Sequence, residues 1–312
     1  MNARTKISGL IPAMLALLCA VCSSGAAPAA KTEVLPADGG DLGKAYADLA
    51  SAFKAADKAR AAKLLDPQAW HLDNKDASWF AQFVSQIQDN HPVGGRRQAD
   101  RATLFVVNTQ PYYAMMNATH TASGWQFDSP LATGSGFSDA PRDCAASPTR
   151  FPCGAKSAPD AQVSGSVQSH KSNPLSSGAS TPKVLFDGLA VRMLDGETKK
   201  PKFTRLLLSG TGINPQMVAL SGDVGSVKGW LIYPMLMLDI APDGKSAKLE
   251  YFDGFSQQKL DVTDGLSIDP NTPNRIRGHL KTDAKDLAQF DVAFDLGTAS
   301  DCVEDAYNCG SD

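Results

Sequence analysis

Phe290-Asp291-Val292-Ala293-Phe294-Asp295-Leu296 sets a large apolar side chain at every second position, with Ala293 and two aspartates between them. A period of two marks a strand that buries one face and shows the other to water. Upstream of it, apolar runs recur at Val184–Met193, Phe203–Leu208, Met217–Leu220, Trp230–Ile240, Ala247–Phe252 and Arg275–Leu280. Asp195-Gly196, Asp243-Gly244 and Asp264-Gly265 fall between such runs, and Asp-Gly favours tight hairpins because both residues tolerate positive φ. Short strands with regular turns predict a mainly-β domain over residues 184–300, a sandwich or a barrel. Ser209-Gly210-Thr211-Gly212 follows one of these strands, but Pro215 and no helical pattern come after it. Without a helix N-terminus to aim at phosphate, the segment is expected to be a turn.

Residues 131–183 lack periodicity and are rich in Ser, Pro, Gly and Ala, a composition that buries too little apolar surface to order itself. They are expected to form a flexible linker. Before it, residues 41–130 predict an α+β domain, helices first and an antiparallel sheet after them. Asp41 precedes Leu42, Tyr46, Leu49 and Phe53 at helical spacing; Lys58–Leu65 forms a shorter helix that ends before Pro67. Trp79, Phe80, Phe83, Val84 and Ile87 then share one face of a third helix, over Asp76–Gln88. Gly94-Gly95 breaks the pattern, and strands follow at Arg101–Asn108 and Tyr112–Thr121, with Ser123-Gly124 turning into Trp125-Gln126-Phe127.

The order of helix, short helix and third helix, then Ala102-Thr103-Leu104-Phe105-Val106 and a closing Gly124-Trp125-Gln126-Phe127, resembles the nuclear transport factor 2-like, cone-shaped fold. The step from Phe53-Lys54-Ala55-Ala56-Asp57 into Ala61-Ala62-Lys63-Leu64-Leu65 is similar to that family's first helical turn. The resemblance covers residues 41–130 and is one of element order. It implies helices on a curved antiparallel sheet around an apolar pocket, and the family's members include enzymes, binding modules and assembly domains.

Residues 1–30 have the layout of a secretory signal peptide: Arg4 and Lys6, an apolar run from Leu10 to Val21, and the small-residue site Ala27-Pro28-Ala29. Cleavage near Ala29 and a periplasmic or secreted product are expected. A lipid-anchor motif needs a small residue just before its cysteine. Cys19 follows Leu17-Leu18 and Cys22 follows Ala20-Val21, so a soluble product is expected over an anchored one. No later stretch is apolar enough to span a bilayer as a helix. The formal charge of −3, with Lys199-Lys200 and Lys202 as its one basic cluster, argues against nucleic acid as a partner. Of six cysteines, Cys144, Cys153, Cys302 and Cys309 lie beyond the leader. An even number in an exported chain reads as disulfides. Proximity favours Cys144 with Cys153 and Cys302 with Cys309, each closing a short loop worth ~2–3 kcal/mol. The second pair would pinch the acidic tail, residues 301–312. The C-x-x-C spacing and neighbouring histidines of a zinc site are missing, and no metal or cofactor is expected.

No G-x-S-x-G, H-E-x-x-H, P-loop or EF-hand pattern occurs. The weak catalytic candidates are His71 and Asp73, in Trp70-His71-Leu72-Asp73 after the second helix, where a His–Asp pair titrating near neutrality would serve general acid–base chemistry. Trp70, Tyr112, Met116 and His120 are candidate lining for a ligand pocket; strand alternation sets Tyr112, Ala114 and Met116 on one face and Tyr113, Met115 and Asn117 on the other. These features fit an exported, non-catalytic binding or interaction protein whose partner is a protein or a small apolar ligand of the cell envelope, an effector or immunity-type protein being one form of it. The alternative is a small-pocket enzyme, an isomerase or hydrolase, in the N-terminal domain.

Overall fold

The computed structural model describes residues 30–67, 75–87, 89–108, 112–128, 132–136, 146, 161–170, 182–214, 234–252, 257–269, 274–284 and 287–303. Helix α1 (Gly40–Lys54) starts one residue before Asp41. In α2 (Lys58–Leu64) the Asp57 carboxylate accepts from the Arg60 amide at 3.0 Å, and in α3 (Ala77–Ile87) Asp76 accepts from Trp79 N–H at 2.9 Å. Each aspartate satisfies a first-turn donor that the helix itself leaves unpaired. The apolar faces of α1 and α3 then meet through Phe53, whose ring centroid lies 4.6 Å from Phe83, while Trp79 stacks on Phe83 at 5.5 Å.

These helices cover one face of β2 (His91–Gln98), β3 (Arg101–Val107), β4 (Tyr112–Thr121) and β5 (Gly124–Phe127), which pair antiparallel in sequence order. Leu42, Tyr46, Leu49, Phe53, Phe80, Leu104, Val106, Met116 and Phe127 form the buried core between them. The short β6 (Ala132–Gly136) extends the same edge alongside β4. Gly94-Gly95 does not end the pattern as expected but lies inside β2, where a bulge between Pro92 and Gly94 absorbs the irregularity.

β1 (Lys31–Leu35) pairs with β2 on one side and with β7 (Ala161–Ser169) on the other, and so carries one continuous mixed sheet from this core to a second. The molecule is therefore mostly β, with three helices among the described residues. The second core lies between two groups of strands. One is β7 with β15 (Arg275–Ala284) and β16 (Ala288–Val303); the other is β9 (Asp187–Leu194), β10 (Pro201–Ser209), β11 (Met235–Ile240), β12 (Ala247–Phe252) and β13 (Gln257–Val262). Val163, Val167, Phe290, Val292 and Phe294 from the first group pack against Leu206, Leu208, Leu236, Leu238, Leu249 and Tyr251 from the second. Tyr251 meets Phe290 edge to face at 5.5 Å. β16 belongs to both groups: residues 288–297 pair with β15, and from Thr298 the strand runs parallel to β9.

Asp195-Gly196 and Asp243-Gly244 turn the chain between paired strands, β9 to β10 and β11 to β12. Asp264-Gly265 does something else. It leads from β13 into β14 (Leu266–Ile268), and β14 pairs with β15 instead, so this turn crosses from one layer to the other. The stretch read as a linker holds β6, β7 and the start of the two-residue β8 (Lys183–Val184); Ala161, Val163 and Val167 of β7 are buried. The tail likewise contributes Asp301, Cys302 and Val303 to β16, opposite Arg192, Met193 and Leu194. Expected strand residues Met217–Leu220 and Trp230–Tyr233, and Cys144, Cys153 and Cys309, lie outside the described residues. No described helix is long and apolar enough to cross a membrane.

Carboxylates on the outward face of β16 supply an acid-sensitive share of stability. Arg275 and Arg277 both grip Asp295, Arg277 through Nε at 3.0 Å and Nη2 at 2.8 Å. Burial works against the Asp295 carboxylate, but the two guanidinium groups outweigh it and hold its pKa below the ordinary range. A depressed folded-state pKa adds stability at pH values above the unfolded pKa, and that stability disappears as pH falls through the folded value. The melting temperature of Asp295→Asn should therefore lie below that of the unsubstituted chain at neutral pH, and the gap should close on acidification. A gap that stays constant with pH would count against this assignment.

Candidate functional site

Alternation along β4 turns Ala114, Met116 and Ala118 toward the helices, and the same face carries His120 to its end. Met116 is completely buried in the core. His120 is exposed, and its ring stands edge-on to Trp125, with centroids 4.9 Å apart. The Trp125 ring is otherwise buried; its indole N–H donates to Asp41 Oδ2 at 3.0 Å, and the Arg97 guanidinium lies 5.3 Å from its ring centre. Arg97 Nη1 stands 3.6 Å from the same Asp41 oxygen.

The sequence builds this ledge from four separate elements. Asp41 sits in the first turn of α1, where its negative charge suits the helix dipole. Arg97 comes from β2, His120 from β4 and Trp125 from β5, and His120 and Trp125 are direct cross-strand partners. Burial alone would raise the Asp41 pKa; the Trp125 hydrogen bond, the Leu42 amide and the Arg97 charge together outweigh it and lower it. Asp41 thus anchors the indole and the guanidinium together. The ledge therefore presents the Arg97 cation and the His120 imidazole, held in place by the buried Trp125 ring and Asp41. Arginine recurs at the energetic centres of binding surfaces.

Of the other expected site residues, Trp70, His71 and Asp73 lie outside the described residues, as does the side chain of Tyr112, whose backbone belongs to β4. Three functional candidates had no signal in the sequence. Asp41 entered only as the residue before the first helical run, and Arg97 carried no pattern. The third, Asp128, follows β5; its amide donates to the Asn117 carbonyl, and burial pushes its carboxyl above the ordinary range although the Arg101 charge opposes this. Among the described residues no group of three or more His, Cys, Asp or Glu side chains is arranged to hold a metal ion. No protein-family model, no curated protein and no solved structure matches the chain.

Proposed function

We propose that this chain is an exported, non-catalytic binding protein of the cell envelope, made of a cone-like N-terminal module and a β-sandwich module, and that it engages a protein or small apolar partner through the ledge at His120 and Arg97, which the buried Trp125 supports. The observation that carries this reading is the ledge itself. Its charged groups are committed to one another while His120 remains open to solvent, an arrangement suited to contact and not to proton transfer. The leader-like residues 1–30 support export, and the paired cysteine count supports an oxidising compartment.

The reading is tested with the mature chain carrying a photoreactive amino acid at position 120 or, as a control, at Lys259, whose exposed side chain lies on β13. Irradiation of exporting cells should give a discrete adduct from position 120 and none from position 259. Arg97→Ala should cut that adduct about tenfold, the scale expected when a binding-centre arginine is truncated. Equal labelling from both positions, or none from position 120, removes the ledge as a binding surface. The intact mass of the same material shows whether the leader is gone and the thiols are bridged.

A second reading, a small-pocket enzyme in the N-terminal half, draws on Asp128, because burial pushes its carboxyl above the ordinary range, the direction a general acid requires. It separates from the first in the same experiment: Asp128→Asn should leave the position-120 adduct intact if binding through the ledge is the function.

A further inference from the structure

The face of β2–β4 turned away from the helices carries a buried polar row, since Arg96, Thr103 and Asn117 are consecutive cross-strand partners. Arg96 is 2% exposed and grips the fully buried Asp187 at the start of β9, with Nε to Oδ2 at 2.7 Å and Nη2 to Oδ1 at 2.9 Å. The Asp187 carboxylate also accepts from the Gly188 amide at 2.9 Å and from the Ile213 amide at 2.9 Å. Thr103 donates to Asn117 Oδ1 at 2.6 Å and accepts from the Gly212 amide at 2.7 Å. Ser209-Gly210-Thr211-Gly212, expected to be a simple turn, is thus the buried piece that seats β9 and β10 on β2–β4. A Cβ at Gly212 would come within 2.6 Å of Arg96 Cβ, so only glycine allows this approach.

One buried side-chain atom of this joint stands without a partner among the described residues. Arg96 Nη1 is buried and has no hydrogen-bond acceptor among the described residues. A guanidinium offers five N–H donors, and Nη1 holds two of them. Buried donors left unpaired are rare because each keeps its full desolvation penalty.

We propose that Arg96 Nη1 is the anchor of an internal hydration site, occupied by one water molecule that the joint encloses. Charge decides between water and an anion. Asp187 already neutralises Arg96 through two parallel bonds, so the pair has no net charge to offer. A second anion would be buried against the Asp187 carboxylate, at a cost greater than leaving the donors unpaired. Water supplies the acceptor without charge, and the segment that brings Gly212 against Arg96 carries two further buried hydroxyls, Ser209 and Thr211, both 0% exposed.

A high-resolution crystal structure of the mature protein, grown with and without bromide, tests this. The expected result is a fully occupied peak about 2.7–3.2 Å from Arg96 Nη1 with no anomalous signal in bromide. Anomalous density at that position would show an anion site, and a protein carbonyl there would show a closed network; either overturns the proposal. In solution, oxygen-17 relaxation dispersion of water should lose the contribution of one long-lived molecule in Arg96→Lys and none in Arg97→Lys. An unchanged dispersion in a folded Arg96→Lys also overturns it. If Arg96→Lys does not fold, the bromide crystals decide alone.

Discussion

Arg96→Ala is expected to lower the unfolding free energy by roughly 3–5 kcal/mol, because removing one partner of a buried pair strands the other charge. Asp187 would keep only the amides of Gly188 and Ile213 while remaining completely buried. Equilibrium denaturation in urea measures the loss. The effect is not the worth of the pair itself, and a second variant separates the two. Replacing both partners with apolar residues, Arg96→Met with Asp187→Leu, should restore much of the stability lost in the single variant, since no uncompensated charge remains. A single variant within about 1 kcal/mol of the unsubstituted chain would place this ion pair among the weak surface ones.

Gly165→Ala should be comparably damaging, for a reason of backbone and not of charge. Gly165 lies in the middle of β7 with φ at 112°, a region that L-residues rarely enter. An added Cβ would also stand 2.0 Å from the Asp291 carbonyl oxygen and 2.8 Å from Val292 Cα on β16. Backbone strain and overpacking each cost about 1–3 kcal/mol, so a combined loss of roughly 2–6 kcal/mol is expected. Ser166→Ala next to it provides the control, because its backbone carries neither constraint; a loss confined to position 165 is the expected pattern. Equal losses at both positions would mean that β7 tolerates no change at all and that the glycine has no special role.

What the sequence revealed depended on whether neighbours in the chain are neighbours in space. α1 was legible because Leu42, Tyr46, Leu49 and Phe53 return to one face of a helix by spacing alone. Two of three Asp-Gly hairpins were legible for the same local reason. β7 was not, because its buried face has only Ala161, Val163 and Val167, with a glycine where another apolar residue would have completed the alternation. The end of β16 hid likewise: Gly297, Thr298, Ala299 and Ser300 offer no contrast between faces. The joint was invisible because Arg96 and Asp187 stand 91 residues apart, and a contact between single distant positions has no period. Of the ledge, His120 was a candidate on its strand, but Arg97 and Asp41, which meet at Trp125, come from elements whose approach only the fold determines.

The dual membership of β16 has a consequence for the order of assembly. Residues 288–303 follow every strand they pair with in the chain, yet they supply the central strand of one layer and an edge of the other. A nascent chain lacking them cannot seal its second core, and pairings so remote in sequence form slowly. Such a polypeptide stays open until residues 288–303 have emerged, so the second core closes only after all the strands it joins are in place.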